Sequence, residues 1–267
     1  MSSVRASNSK KCLLLLAVVL TAACSSPLER ARQFANYHKL SSEVVRGLPF
    51  QHQVFRKQGL PSKRLHIYLD GDGSPWLQGQ FVADDPTPRQ PLALQLMAAA
   101  PYSAIYLGRP CYFGFADTQP CAPRYWTSAR YGEDVVNSLV SAITQLRRDQ
   151  QPLLLIGYSG GGTLATLVAG RLAGDIQLVT VAGNLDIAAW TTLHGYLPLS
   201  DSLNPIAESA ANSVRQQHLS GLRDRNTPPA LASAYVEQHG GTLREFPDFD
   251  HVCCWRENWP DILDSLL

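Results

Sequence analysis

The chain has 267 residues, of which 45% are hydrophobic and 17% charged, and its formal net charge is +1 at pH 7. That near-neutral balance gives no support to nucleic-acid binding or to any polyanionic partner. The length suits one large α/β domain; no repeat or low-complexity linker divides it, and nothing in it fixes an oligomeric state.

The first element reads as a targeting segment. Arg5, Lys10 and Lys11 precede the apolar run CLLLLAVVLTAA at 12–23, which is too short to span a bilayer and ends in small residues, the pattern of a cleavable signal. Residues 20–24, LTAAC, resemble the lipobox of bacterial lipoproteins, with Thr21 standing where Leu is usual. The resemblance implies cleavage before Cys24, acylation of Cys24, and a lipid anchor in the cell envelope, at the outer membrane facing the periplasm. Several lipid chains on one Cys anchor stably where a single chain binds only marginally. Ordinary signal cleavage with Cys24 as a bystander is the alternative. Removal of 1–23 leaves 20 basic and 22 acidic residues, a net charge of −2.

Four cysteines then remain, Cys111, Cys121, Cys253 and Cys254, an even number that suits disulfides in an exported protein. Cys111 and Cys121 bracket a loop rich in Pro, Gly and aromatics and are expected to pair. Cys253 and Cys254 form either a vicinal bridge or two thiols. This spacing lacks the usual zinc-ligand pattern, and DGDGS at 70–74 lacks the Glu of a calcium loop, so neither metal nor cofactor is expected.

Downstream, strand and helix patterns alternate. RLHIYLD (64–70) reads as a strand ending in a Gly-rich turn, PLALQLMAAA (91–100) as a helix, and SAIYL (103–107) as the next strand. Residues 128–148 carry Val135, Val136, Leu139, Val140, Ile143 and Leu146 at amphipathic spacing, with Ser128 as the expected N-cap. PLLLI (152–156) reads as a strand buried on both faces, and GTLATLVAGRL (162–172) as a helix packed closely on it. IQLVTV (176–181) and the weaker QHLSGL (217–222) are further strands, followed by a helix at 228–239, a strand at 242–246 and a terminal helix at 256–267. Repeated βα units imply a mostly parallel central sheet with helices on both faces. Ligands of such sheets bind at the carboxyl ends of the strands.

Ser159 lies in Gly157-Tyr158-Ser159-Gly160-Gly161, between a buried strand and a helix. A Ser on a sharp strand-to-helix turn between glycines is a nucleophile elbow: the turn lifts the hydroxyl above the sheet and offers helix N–H groups to an oxyanion. An Asp and a His follow in the order nucleophile, acid, base. On these features residues 50–267 resemble the α/β-hydrolase fold, with a small lid or none; 1–23 are then a signal and 24–49 an N-terminal segment. The resemblance implies that His251, in the loop after the last strand, is the base, ahead of His239 and His66. It implies that Asp224, in GLRDRNTP, orients His251, with Asp186 after the preceding strand as the alternative acid and Asp250 too near His251 in sequence to serve. The oxyanion hole would use the backbone N–H groups of Gly160 and Asp72, although a carboxylate at Asp72 would repel an oxyanion unless turned away. The segment 186–211, with Trp190, His194 and Tyr196, would contribute part of the substrate wall.

The function implied is hydrolysis of an ester or related acyl bond in a small-molecule or lipid-like substrate, through an acyl-enzyme. A peptidase or amidase with the same triad, and a non-catalytic envelope lipoprotein using the fold as a binding scaffold, are the alternatives.

Overall fold

The structure, a computed structural model, describes residues 26–208 and 214–267. The signal segment and Cys24 lie outside the described residues.

Sheet formation follows the distribution of β-branched and leucine residues. The central strands β3 (Leu65–Leu69), β6 (Ala104–Leu107), β7 (Leu153–Tyr158) and β8 (Ile176–Val181) are almost continuously apolar, and β6, β7 and β8 are buried at every position. Such strands need cover on both faces. They receive it from α2 (Leu92–Ala99) paired with α7 (Trp255–Asp264), and from α3 (Glu133–Leu146) paired with α4 (Gly160–Ala169). Beyond β8 come β9 (Arg215–Gly221) and β10 (Thr242–Phe246), joined through α6 (Pro229–His239). On the other side stand β2 (Phe50–Lys57) and the edge strand β1 (Ser41–Gly47), preceded by α1 (Pro27–Tyr37).

The order across the eight strands is β1-β2-β6-β3-β7-β8-β9-β10. Only the β1–β2 and β2–β6 pairings are antiparallel; β6 through β10 run parallel, so their carboxyl ends form one edge. A two-stranded hairpin, β4 (Trp76–Leu77) and β5 (Phe81–Val82), projects after β3 at that edge. Helix α5 (Ile187–His194) follows β8 there as well.

Two local expectations change. Residues 41–57 carry two strands that the sequence pattern did not mark, because β2 buries His52 and Gln53 along with its apolar residues. His52 survives burial by bonding Gly108 O and Ser138 Oγ, both at 2.8 Å. Helix α3 starts after Gly132, not at Ser128, whose hydroxyl instead donates to Asp201 Oδ2 at 2.9 Å. Tyr131, just ahead of the helix, is drawn into a buried cluster at Asp72.

Candidate active site

Strand β7 passes into α4 through Ser159, whose φ of 52° and ψ of −122° put a non-Gly residue in strained backbone. The neighbours make the strain tolerable by admitting no side chains. A Cβ on Gly157 would come 2.2 Å from Gly161 O, and one on Gly161 would come 2.3 Å from Leu69 O. The elbow is therefore pressed against the end of β3, and Ser159 N–H is tied to Val181 O of β8 at 3.0 Å.

His251 lies in the loop from β10 to α7. Its loop is shaped by Asp250, whose Oδ1 accepts from Val252 N at 2.8 Å and Cys253 N at 2.6 Å, while Trp255 Nε1 donates to Asp250 O. Asp250 is thus engaged with its own loop. Cys253 and Cys254 are joined as a vicinal disulfide directly after it, and Cys111 and Cys121 form the second bridge.

The structure brings Ser159, His251 and Asp224 into one chain of hydrogen bonds. His251 Nε2 stands 3.1 Å from Ser159 Oγ, and His251 Nδ1 stands 2.8 Å from Asp224 Oδ2. With the Nδ1 proton donated to Asp224, the Nε2 lone pair faces the serine hydroxyl, the arrangement general-base chemistry requires. Ser159 and His251 are half-buried and reachable from solvent, whereas the Asp224 side chain is fully buried. Its Oδ1 accepts Asn226 N at 2.8 Å and Thr227 N at 2.9 Å. Burial alone would raise the Asp224 carboxyl; the hydrogen bond and charge of His251, with Thr227, outweigh it and leave the carboxyl below its usual range.

Asp186 goes elsewhere. It caps α5, accepting from Ala188 N and Ala189 N at 3.1 Å each and from Asn204 Nδ2 at 2.9 Å. His239 bonds Ile206 O, and His66 is buried beside Ser62; neither meets Ser159.

Two neighbours escaped the sequence reading. Asn226 Nδ2 lies 2.9 Å from His251 Nε2, and Asn226 in turn meets Trp190 Nε1 and His194 Nε2, which brings α5 to the wall of the site. The Thr227 hydroxyl lies 2.8 Å from Asp224 Oδ2 and 3.2 Å from His251 Nδ1. Both belong to the turn after Asp224, where the sequence reading gave a role to Asp224 alone.

The turn after β3 sits against the elbow. A Cβ on Gly71 would lie 3.3 Å from Ser159 Cβ, and one on Gly160 would lie 2.1 Å from Asp72 Oδ1. Neither Asp72 N–H nor Gly160 N–H is engaged by a turn or loop hydrogen bond among the described residues. The Asp72 carboxylate is neutralised: Arg109 reaches Oδ1 at 2.5 Å, Arg130 reaches Oδ2 at 2.9 Å, and Tyr131 Oη stands 2.7 Å from both oxygens. Burial pushes this carboxyl up, but the charges of Arg130 and Arg109 prevail and hold it at about 2. Two buried guanidinium groups thus pair with the Asp72 carboxylate, and the Asp70 carboxylate lies at the other end of the same turn. There Asp70 Oδ1 accepts from Gly71 N at 2.9 Å, and its buried carboxyl faces the first amides of α2, at Ala93 and Leu94. Burial raises the Asp70 carboxyl to about 6 despite those amides.

No protein-family model matches the chain, and no curated protein matches it in sequence. Solved structures do. Esterase E25 aligns over 90% of this chain and 81% of its own, with a TM-score of 0.61 and 12% identity. The fold is the α/β-hydrolase fold. A serine hydrolase without a lid from Xanthomonas campestris aligns over 85% of this chain and 95% of its own, at TM-score 0.51 and 13% identity. An acylaminoacyl peptidase from Pyrococcus horikoshii aligns over 85% of this chain and 40% of its own, at TM-score 0.54 and 11% identity. One fold thus carries both ester and amide chemistry, and its chemistry is decided at the site. Among the described residues no separate lid is inserted into the fold.

Proposed function

We propose that the protein is a serine hydrolase that cleaves ester-type acyl bonds through an acyl-enzyme. The hydrogen-bond chain Ser159–His251–Asp224 carries this reading. Ser159 Oγ attacks the acyl carbon while His251 Nε2 takes its proton; Asp224 holds the imidazole tautomer and stabilises the cation that forms. The Asp72 and Gly160 N–H groups receive the oxyanion, while Arg109 and Arg130 pair with the Asp72 carboxylate. Each donor contributes on the order of a hundredfold or more in rate. His251 then returns the proton to the leaving oxygen, and water, activated by the same nitrogen, releases the acyl group.

Ester is favoured over amide on chemical grounds: an alkoxide leaves more readily than an amine. The test is a panel of acyl esters and aminoacyl amides offered to the wild type and to Ser159→Ala. Ester turnover by the wild type should fall by about a millionfold in Ser159→Ala with an unchanged circular dichroism spectrum. Preferential amide turnover would move the protein to the peptidase reading, and turnover by Ser159→Ala within a few-fold of wild type would end the triad assignment.

The lipobox-like LTAAC at 20–24 supports placing the enzyme on the envelope by a lipid on Cys24. Palmitate incorporated by the wild type and absent from Cys24→Ser is the expected result; equal labelling of both would remove the anchor.

A further inference from the structure

Exposed apolar side chains are ordinary when scattered singly and informative when they gather. Ten of the fourteen large hydrophobic side chains exposed among the described residues belong to segments at the carboxyl edge of the parallel strands. They come from five separate places: the β1–β2 turn, the β4–β5 hairpin, α5 with the turn after it, and the turns after β9 and β10. Phe81 is 62% exposed and Leu197 is 86% exposed, although each stands among further apolar residues. Ser159 opens on this same edge.

The two most prominent tips are also uncharged. Residues 76–82 read WLQGQFV and residues 195–200 read GYLPLS, with no Asp, Glu, Lys or Arg in either. A protein partner recognised by ion pairs finds nothing there, whereas an apolar, neutral surface does.

The course of the chain supplies the third observation. Strand β1 begins opposite Arg56, at the amino edge of the sheet, and ends opposite Phe50 at the carboxyl edge. Helix α1 leads down to its start, so Ser26 to Leu28 stand at the carboxyl edge. Accordingly a Cβ on Gly114, in the loop after β6, would come 2.9 Å from Leu28 Cδ2. The sequence just before Ser26 holds the apolar run 12–23 and Cys24. Whatever ties that segment to a membrane presents the Ser159 edge to the same membrane. Among the described residues no helix is long and apolar enough to cross it, so the contact is peripheral.

We propose that the carboxyl edge of the sheet docks on a phospholipid bilayer surface, with the β4–β5 hairpin and the 195–200 turn entering the interfacial layer. The docking does not depend on Ser159 being a nucleophile; its corollary, that the acyl substrate is bilayer-resident, rests on the hydrolase reading. Neutral tips predict that zwitterionic lipid suffices, unlike polybasic surfaces that need anionic lipid.

The experiment uses the full chain reconstituted with phosphatidylcholine vesicles whose acyl chains are brominated. Trp126, Trp255 and Trp259 are buried, so quenching reads the exposed Trp76 and the half-buried Trp190. Quenching of the wild type, reduced by roughly half or more in Trp76→Phe and little changed by phosphatidylserine or salt, is the expected result. The exposed triple variant Leu77→Asp, Phe81→Asp, Val82→Asp, confined to the β4–β5 hairpin, should hydrolyse a vesicle-embedded ester about tenfold more slowly, and a short soluble ester within about twofold of wild type. Soluble-ester turnover also shows that this variant is folded. Unquenched tryptophan, or quenching untouched by Trp76→Phe, overturns the docking; so does vesicle-ester turnover by the triple variant at the wild-type rate. A wild type that is quenched yet turns over no ester supports the docking and removes the hydrolase reading instead.

Discussion

The two walls of the Ser159 site are held by different physics. The elbow is built from five consecutive residues, and its demands are local: glycines where backbone approaches backbone, and a Ser forced to positive φ. The turn at Asp70–Gly73 is held from afar, by Arg109 and Arg130, which are 37 and 58 residues away, and by the start of α2. Local geometry is robust to electrostatics and fragile to added side chains. A charge cluster has the opposite weakness, since removing one partner leaves another charge buried and uncompensated.

The largest effect that sharpens this contrast concerns the acid. Asp224→Asn keeps the Ser and His in place and loses tautomer control, so kcat/KM should fall about ten-thousandfold. Asp186→Asn should leave kcat/KM nearly unchanged and cost about 1 kcal/mol or less of stability, because Asp186 caps α5. Steady-state kinetics and melting of both variants separate the two; a crippled Asp186→Asn would mean that the wrong acid faces His251.

Next comes the charge cluster, where counting charges gives an asymmetry. Arg130→Met leaves Asp72 paired with Arg109, so the fold should hold while kcat falls by about tenfold to a hundredfold, because the Asp72 carboxylate loses one of its two counter-charges beside the oxyanion turn. Asp72→Asn leaves two buried guanidinium groups facing each other and should cost about 3–5 kcal/mol in stability. Urea titrations and kcat on both variants would break the account if Arg130→Met proved the less stable of the pair.

The smallest effect is on stability against pH. Burial lowers His52, His66 and His218 from 6.5 to about 4 each, with Arg64 adding to the effect at His66. Each therefore binds a proton more readily unfolded, and the stability it contributes is lost as pH falls from about 6.5 to 4. Asp70 acts in the opposite sense: its carboxyl, raised to about 6, gains stability on acidification through that pH. Three groups against one give a net uptake of roughly two protons on unfolding near pH 5, and a melting temperature that falls from pH 7 to 4. A flat or rising melting temperature would show that these histidines are not buried as described.

How much of this was legible follows the same division. The elbow, the apolar strands β7 and β8 and the βα alternation depend on neighbours in sequence, and residues 152–181 display them directly. The turn GLRDRNTP marked Asp224, yet the contacts of Asn226 and Thr227 with His251 appear only when β10 and its loop fold back over that turn. Nothing in the sequence singles out Arg109 and Arg130, because their common partner is remote. Strand β2 was missed for a related reason: His52 looks polar until Gly108 and Ser138 arrive to satisfy it. The doubt about a carboxylate beside the oxyanion turn came from the sequence; the two guanidinium groups that answer it could only come from the fold.

The most direct measurement is reaction of the intact chain with a fluorophosphonate, followed by peptide mapping. Stoichiometric modification of Ser159, fast in the wild type and strongly slowed in His251→Ala, is the result expected if the hydroxyl is activated as described. Absence of modification, or modification of a different serine at the same rate in both proteins, would contradict it.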